Sequence, residues 1–259
     1  MPEVRTDDAT IYYETDGEGE PVTVIAHGLT NNRNELAALT PMVPGTKTRF
    51  DFRGHGRSSA PKAGYAFADF ARDLEAVADE VGATRAVGTS LGAGAIANLL
   101  TRRPDRFERM VWLLPAALDL SFAFRDRYEE LASMLEGKTP EEAVDAVLSD
   151  PERAAEYLQA PWRFELDRLM WEHEHPDGVA RAIRGAITDW PVREREDLCK
   201  VTAPVMLICV EGDPIHPAEL GPILADLFPN AELETFDDVS AMFSAIPVLI
   251  QRVSAFLAG

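Results

Sequence analysis

The chain has 259 residues, 46% of them hydrophobic, which is enough to bury the core of one large domain or of two small ones. Its 44 acidic and 25 basic residues give a formal charge of −19, so phosphate backbones and anionic lipid surfaces are repelled. Nucleic acid and membrane are therefore excluded as predicted partners. No run approaches the roughly 20 apolar residues of a membrane span and no signal peptide is recognisable, so we expect a cytoplasmic protein.

Short runs rich in β-branched residues alternate with helical patterns along most of the chain. This alternation predicts a mostly parallel sheet with crossover helices. Several of the runs are apolar throughout, as expected for strands that are covered on both faces. The predicted strands span residues 10–14, 22–26, 46–50, 85–88, 109–114, 204–210 and 232–236.

Helical patterns fill the intervals between these strands. The segment FADFARDLEAVADEVG (67–82) places apolar residues at three- and four-residue steps and leaves the opposite face acidic. A second helix follows the strand at 85–88, and a third, SAIPVLIQRVSAFLAG, closes the sequence at 244–259. Because proline lacks the N–H that a helix interior needs, Pro247 is expected in the first turn of that last helix.

Strand patterns disappear between about residues 116 and 197. Helical patterns separated by the breakers GKTP, SDPE and HPDG replace them. We therefore predict a core of residues 1–115 and 197–259 with a helical cap inserted at 116–196. The predicted cap helices span residues 122–135, 140–148, 151–174 and 178–188.

The segment TRAVGTSLGAGAIANLL carries the most informative motif. A strand runs into Gly88-Thr89-Ser90-Leu91-Gly92 and a helix follows at once, which is the setting of a G-x-S-x-G nucleophile elbow. The glycines leave room for a strained turn that presents the Ser90 oxygen at the end of the sheet. The Leu91 N–H lies at the helix N-terminus, where it would stabilise an oxyanion. The motif predicts Ser90 as a nucleophile.

A second apolar strand, PVTVIA, ends in His27-Gly28. In an architecture with such an elbow, the loop after this strand supplies the other oxyanion N–H. We assign that donor to Leu29, with Gly28 beside it in the same loop. No G-x-G-x-x-G fingerprint and no metal-ligand cluster is present, so no cofactor and no metal is predicted.

Four motifs follow one another along the chain: HG at 27–28, D-x-R-G-H-G-x-S at 51–58, G-x-S-x-G at 88–92 and GDPIHP at 212–217. Together they resemble the α/β-hydrolase fold family in order and spacing, over nearly the whole chain. The resemblance implies an α/β fold, with a mostly parallel central sheet flanked by helices and an inserted helical cap. It also implies a small-molecule substrate.

The resemblance assigns roles to individual residues. Ser90 matches the nucleophile, and Leu29 and Leu91 match the oxyanion-hole donors. Asp213 matches the acid that orients a histidine. That histidine belongs after the last strand, about seven residues before the proline of the last helix.

The stretch where the histidine belongs, TFDDVSAMFSAIP, contains none, and the matching position is Ser240. A hydroxyl is not a base at neutral pH. The neighbouring Asp237 and Asp238 would be useful bases only if burial raised their pKa above the ordinary value of about 4. A standard Ser-His-Asp triad is therefore not encoded.

A relocated base stays open, because five histidines lie elsewhere in the chain. His216, three residues after Asp213, belongs near the active-site end of the sheet. His55 in the RGHG turn and His27 before Gly28 are further candidates for a base or for the pocket, with structural roles as the alternative. The cap contributes His173 and His175.

Three functions remain open at this point. The first is an esterase or lactonase that acts on a small organic ester through Ser90 with an atypical or incomplete triad. The second is a lyase, isomerase or cyclase of the same fold, which needs no acyl-enzyme. The third is a ligand-binding pseudoenzyme. Candidate pocket-wall residues in the cap are Phe122, Phe124, Trp162, Phe164, Trp171 and Trp190.

Overall fold

The computed structural model describes residues 2–118, 125–151, 154, 157–158 and 162–259. Within these residues the chain builds one eight-stranded sheet with the strand order β1-β2-β4-β3-β5-β6-β7-β8. Strand β2 runs antiparallel to β1 and β4, and the other neighbouring pairs are parallel. The strands are β1 Glu3–Arg5, β2 Thr10–Asp16, β3 Val22–Ala26, β4 Thr46–Phe50, β5 Arg85–Thr89, β6 Arg109–Leu113, β7 Val205–Val210 and β8 Ala231–Phe236.

This topology confirms the predicted α/β fold with a mostly parallel central sheet. Strands β3 and β7 are buried at every position, in agreement with their continuous apolar sequences. Strands β3 and β4 have the predicted bounds, and the other predicted strands differ by one or two residues at an end. Strand β1 was not predicted, because its three mostly exposed residues are too short to show an alternating pattern.

Helices flank the sheet, and four of the helices in the described residues fall between β6 and β7, where the cap is predicted. The described helices are α1 Phe67–Glu80, α2 Leu91–Arg102, α3 Arg125–Leu135, α4 Pro140–Leu148, α5 Trp162–Met170, α6 Pro176–Ala186, α7 Leu220–Leu227 and α8 Val239–Ala258. Short 3₁₀ segments lie at Thr40–Met42 and Arg195–Lys200.

The predicted helix bounds in the cap agree only in part. Helix α4 has the predicted bounds, and α6 begins and ends two residues earlier than predicted. A single helix over 151–174 was wrong at its end, because Trp171–His175 is not helical and leads into Pro176. The predicted residues 122–124 of the first cap helix lie outside the described residues. The boundaries 116 and 196 of the cap stay a prediction.

Two apolar layers cover the sheet, because side chains alternate between its faces. On β3, Val24 and Ala26 belong to the layer that also contains α1, α2 and α7, whereas Ile25 belongs to the opposite layer. In that second layer the C-terminal end of α8 packs on the strands. Its buried side chains are Val253, Phe256 and Leu257.

Helix α8 begins almost directly after β8. Only Asp237 and Asp238 separate the two elements, and the Asp238 carboxylate accepts a 2.7 Å hydrogen bond from the N–H of Ala241 as an N-cap. The predicted start at Ser244 was therefore wrong, and Pro247 lies inside the helix rather than in its first turn. The Asp238 N-cap stabilises this helix start, which the position of Pro247 makes difficult to recognise in the sequence.

The length of α8 also corrects one expectation from the sequence. Among the described residues, this helix is long and apolar enough by length and composition to cross a membrane, with a mean hydropathy of 1.6. The sequence analysis missed it because the predicted helix began too late. Its C-terminal part packs on the sheet, and 22% of its apolar stretch is buried.

The N-cap of α8 gives a testable prediction. Asp238→Ala removes the side-chain acceptor of the Ala241 N–H and should lower the free energy of unfolding by about 1 kcal/mol in urea denaturation. Asp237→Ala is the matched control, since Asp237 is exposed and lies before the cap, and its effect should stay within about 0.5 kcal/mol. Equal effects of the two substitutions would contradict the assigned start of the helix.

Candidate active site

Ser90 occupies a sharp turn between β5 and α2. Its backbone angles, φ 49° and ψ −105°, lie in a region that non-glycine residues rarely adopt and that costs about 1–3 kcal/mol. Two backbone hydrogen bonds hold the turn, from Ser90 N–H to the Leu113 carbonyl at 3.0 Å and from Gly94 N–H to the Ser90 carbonyl at 3.1 Å. The side chain is thereby presented at the carboxyl end of the parallel strands.

The glycines on either side of Ser90 are required by close backbone contacts. A Cβ at Gly92 would lie 2.4 Å from the carbonyl oxygen of Ala26 in β3, and one at Gly88 would lie 2.6 Å from the carbonyl carbon of Gly92. Neither position has room for a side chain, so the spacing G-x-S-x-G follows from the approach of α2 to the sheet.

Two backbone N–H groups remain without an acceptor beside this turn. Leu91 opens α2, so its N–H has no carbonyl one turn earlier to bond. Leu29 lies in the loop after β3, and within the described residues no acceptor is found for its N–H. The Ser90 hydroxyl also makes no hydrogen bond to the described residues, and Ser90 is 9% exposed. An unpaired hydroxyl and two unpaired donors are what an oxyanion-forming site needs.

Asp213 lies in the turn after β7 and orients a histidine, but that histidine is its near neighbour. Its Oδ1 accepts hydrogen bonds from the N–H groups of Ile215 (2.8 Å) and His216 (3.2 Å), and its Oδ2 lies 2.8 Å from Nδ1 of His216. Burial raises the pKa of Asp213, but the bonds from His216 and Ile215 outweigh it and leave the pKa below its ordinary value. The anionic acceptor favours a proton on Nδ1 of His216, which leaves Nε2 as an acceptor.

The positions after β8 provide no base. Ser240 is exposed in the first turn of α8, and Asp237 and Asp238 are exposed as well. The Asp238 carboxylate is engaged as the N-cap of the helix.

His27 and His55 lie in the core rather than in the site. Nε2 of His27 accepts the N–H of Phe52 at 3.0 Å, and its Nδ1 lies 2.7 Å from the Gly28 carbonyl. Nδ1 of His55 lies 3.0 Å from the Arg53 carbonyl, while its buried Nε2 has no partner among the described residues. Burial lowers the pKa of each imidazole to about 3, so both rings are neutral at physiological pH.

His173 ties the cap to the two loops around the site. Its Nδ1 accepts the N–H of Gly56 at 2.8 Å, and its Nε2 donates to the Thr30 carbonyl at 3.0 Å. The rings of His27 and His55 lie 5.1 Å apart, and those of His55 and His173 lie 5.7 Å apart. Burial also lowers the pKa of His173 to about 3. A row of three neutral imidazoles therefore joins the cap to the loop that carries Leu29.

Sequence reasoning missed Glu35, which the structure brings next to Ser90. Its Oε2 accepts the N–H of Gly28 at 2.6 Å, and its Oε1 accepts the side-chain amide of Asn31 at 2.6 Å. A Cβ on Gly28 would lie 3.2 Å from Glu35 Oε1 and 3.4 Å from Ser90 Cβ, so the two side chains face each other across an empty position. Burial raises the pKa of Glu35 to about 7, against the opposing effect of its hydrogen bonds and of His216.

An open cleft of about 560 Å³ lies beside this site. It is bounded by the loop after β3, the RGHG turn and the cap helices α4 and α5, and Arg33, Val144, Arg168 and His173 are among its lining residues. Ser90, Leu29 and Leu91 do not line it.

The aromatic side chains of the predicted cap that the structure describes do not form one wall of a pocket. Trp171 is buried in the core, Phe164 is 39% exposed, and Trp190 stacks under the Arg193 guanidinium at 4.2 Å. Phe122 and Phe124 lie outside the described residues, as does the side chain of Trp162. Within the described part of the chain, no group of three or more His, Cys, Asp or Glu residues could hold a metal ion.

A family model described as "alpha/beta hydrolase fold" matches residues 21–244 of this sequence. The chain belongs to the α/β-hydrolase fold family. It is 28% identical over 216 residues to carboxylesterase YbfK of Bacillus subtilis, covering 81% of this chain and 70% of that protein. It is 26% identical over 250 residues to a pimeloyl-[acyl-carrier protein] methyl ester esterase of Klebsiella pneumoniae, covering 88% of this chain and 89% of that protein.

Among solved structures, the enol-lactonase of Burkholderia xenovorans LB400 superposes with a TM-score of 0.80 at 22% identity, covering 100% of both chains. At that identity the match shows the fold alone. Membership of the α/β-hydrolase family confirms the resemblance seen in the motifs. The roles of individual residues in this member of the family remain predictions.

The row of buried imidazoles predicts a specific loss of stability in acid. Each ring has a folded pKa of about 3 against 6.5 when unfolded, so below pH 6.5 the unfolded chain binds more protons and the folded state loses stability as pH falls. Above pH 6.5 the effect vanishes. His173→Gln should reduce the slope of the free energy of unfolding against pH, between pH 4 and 6, by about 1.4 kcal/mol per pH unit.

The matched control for this prediction is His175→Gln, because His175 is exposed two residues further along the same segment. Urea denaturation at several pH values should give the wild-type slope for that variant. An unchanged slope for His173→Gln would mean that His173 is protonated normally in the folded state.

Proposed function

We propose that this protein hydrolyses esters or lactones of small organic acids through an acyl-enzyme on Ser90. The observation that carries the proposal is the combination of the strained Ser90 turn with two unpaired N–H groups, those of Leu29 and Leu91. Backbone strain of this kind persists where the surrounding structure holds it for a function. A ligand-binding scaffold has no need of a strained serine at such a turn.

In the proposed reaction, the Ser90 oxygen attacks the carbonyl carbon of the substrate. The carbonyl oxygen becomes an oxyanion between the N–H groups of Leu29 and Leu91, and the N-terminus of α2 adds a favourable dipole. Collapse of the tetrahedral intermediate releases the alcohol with a proton and leaves an ester on Ser90. Water then attacks that ester, the acid leaves, and Ser90 regains its proton.

Three titratable groups support the proton transfers that this reaction requires. Asp213 and His216 form a hydrogen-bonded pair of the same composition as the acid–histidine pair of the family. Glu35 faces Ser90 across Gly28. A serine nucleophile needs such a base, because its hydroxyl is weakly nucleophilic at neutral pH.

The ester and lactone class is supported by the relatives. Two proteins that are 26–28% identical to this chain are named as esterases, and a structure with the same fold is named as an enol-lactonase. Ser90 is only 9% exposed and lies at the end of the sheet where the predicted cap is inserted. This limited access favours a small substrate. We retain the cytoplasm as the predicted location.

Labelling with a fluorophosphonate probe, read by intact mass, tests this function. The folded wild-type chain should gain one adduct, and Ser90→Ala should gain none, because the probe reacts with an activated serine. Hydrolysis of short p-nitrophenyl esters and of small lactones should fall in Ser90→Ala to the residual rate that an oxyanion hole alone supports.

Ser240→Ala is the matched control, since Ser240 holds the position of the family's histidine and is exposed. It should be labelled like the wild type. Absence of an adduct on the folded wild-type chain would reject hydrolysis and leave the lyase, isomerase, cyclase and ligand-binding alternatives.

A further inference from the structure

We propose that Glu35 is the base that accepts the Ser90 proton, in place of the histidine that is missing after β8. This inference rests on the proposed hydrolysis by Ser90. It names the group that completes the site, and that group lies in the loop after β3, where the α/β-hydrolase motifs give no reason to look for one.

The position of Glu35 carries the argument. Its Oε1 and the Ser90 Cβ both lie within 3.4 Å of the point where a Cβ of residue 28 would be, and glycine leaves that space empty. The Ser90 hydroxyl has no competing partner among the described residues. The Glu35 carboxylate and the Ser90 side chain thus border one small space, with no side chain of residue 28 between them.

Two hydrogen bonds hold the Glu35 carboxylate in this position. The Gly28 N–H donates to one oxygen and the Asn31 amide donates to the other, each at 2.6 Å. Each oxygen has a second lone pair, so one hydrogen bond apiece leaves acceptor capacity for a proton. Anchoring of this kind fixes a base without neutralising it.

Burial makes this carboxyl a useful base at neutral pH. Removing the charge from water raises the pKa of Glu35 to about 7, close to that of the imidazole it would replace. A base with a pKa near the working pH combines a large ionised fraction with a strong pull on the proton. Asp237 and Asp238 are exposed, and Asp238 is engaged as the N-cap of α8.

His216 is a titratable neighbour of Glu35. It lies close enough to Glu35 to lower the pKa of that carboxyl, whereas it makes no hydrogen bond to the Ser90 hydroxyl. Asp213 binds its Nδ1 on the other side. The order Asp213, His216, Glu35, Ser90 therefore makes His216 a positioning residue that acts through Glu35.

The proton balance is complete with these groups. Glu35 takes the proton of Ser90 as the Ser90 oxygen bonds to the substrate carbonyl, and gives it to the alcohol oxygen as the ester C–O bond breaks. In the second half Glu35 takes a proton from the attacking water. It returns that proton to Ser90 as the acyl C–O bond to the serine breaks, so the enzyme ends in its starting state.

The rate constant of fluorophosphonate labelling, measured from pH 5 to 9 on the full chain, tests the assignment. For the wild type the rate should rise with pH, bend near pH 7 and level off, because only ionised Glu35 accepts the proton. Glu35→Gln should be slower by about 10²–10⁴-fold and should lack the bend. Glu35→Asp should be slower than the wild type but keep a bend.

Two further variants separate the roles of the neighbours. His216→Gln should still be labelled, with the bend moved to higher pH, because His216 lowers the pKa of Glu35. Gly28→Ala places a methyl group between Glu35 and Ser90 and should slow labelling while the circular dichroism spectrum is unchanged. The matched control, Glu18→Gln, changes an exposed glutamate between β2 and β3 and should behave as the wild type.

Wild-type labelling rates in folded Glu35→Gln, with the bend retained, would overturn the assignment and leave the proposed hydrolysis intact. Loss of labelling in His216→Gln, with labelling kept in Glu35→Gln, would transfer the role of base to His216. A wild-type chain that takes no label at all would instead reject both the hydrolysis and the base.

Discussion

The close approach of α2 to β3 is the contact on which the reactive edge of this molecule depends. The first turn of the helix comes so near the end of the strand that residue 92 has no room for a Cβ beside the Ala26 carbonyl. That approach forces Ser90 into its strained conformation and directs the Leu91 N–H outward from the helix end. The same strand continues into the loop that carries Leu29, so one backbone contact sets the positions of Ser90 and of the Leu29 and Leu91 N–H groups.

The loop after β3 is fixed by polar contacts on both sides, and these contacts link the site to the rest of the fold. On one side the Glu35 carboxylate binds the Gly28 N–H. On the other, His173 of the cap binds the Thr30 carbonyl, and the buried Asp51 accepts two hydrogen bonds from Arg33. The residues from 31 to 39 form turns rather than a helix, and it is this folding back that returns Glu35 to the site.

Local patterns predicted most of this fold and only part of the site. The strands and the Ser90 elbow depend on residues that are close in sequence, so periodicity and motif spacing indicate them. Glu35 escaped because its proposed role depends on its place beside Gly28 and Ser90 in the folded chain, and a lone acidic residue in a polar loop gives no sequence signal. The sequence offered Asp237 and Asp238 as carboxylates that could act as bases only if they were buried, and otherwise a relocated histidine. Those two are exposed, and one of them caps a helix. The start of α8 was missed because Pro247 is a stronger local sequence signal than Asp238. The helix nevertheless begins after the Asp238 N-cap and continues through Pro247.

The short connection between β8 and α8 restricts the substitutions by which a histidine could be placed at the end of the sheet. In two residues the chain passes from an edge strand into a capped helix, so residue 240 lies on an exposed helical turn rather than on a loop that could extend over the sheet edge. A single codon change to histidine at that position would put the imidazole in solvent. Recovering an ordinary triad requires an insertion that unwinds the first turns of α8, which makes the present arrangement difficult to reverse one substitution at a time.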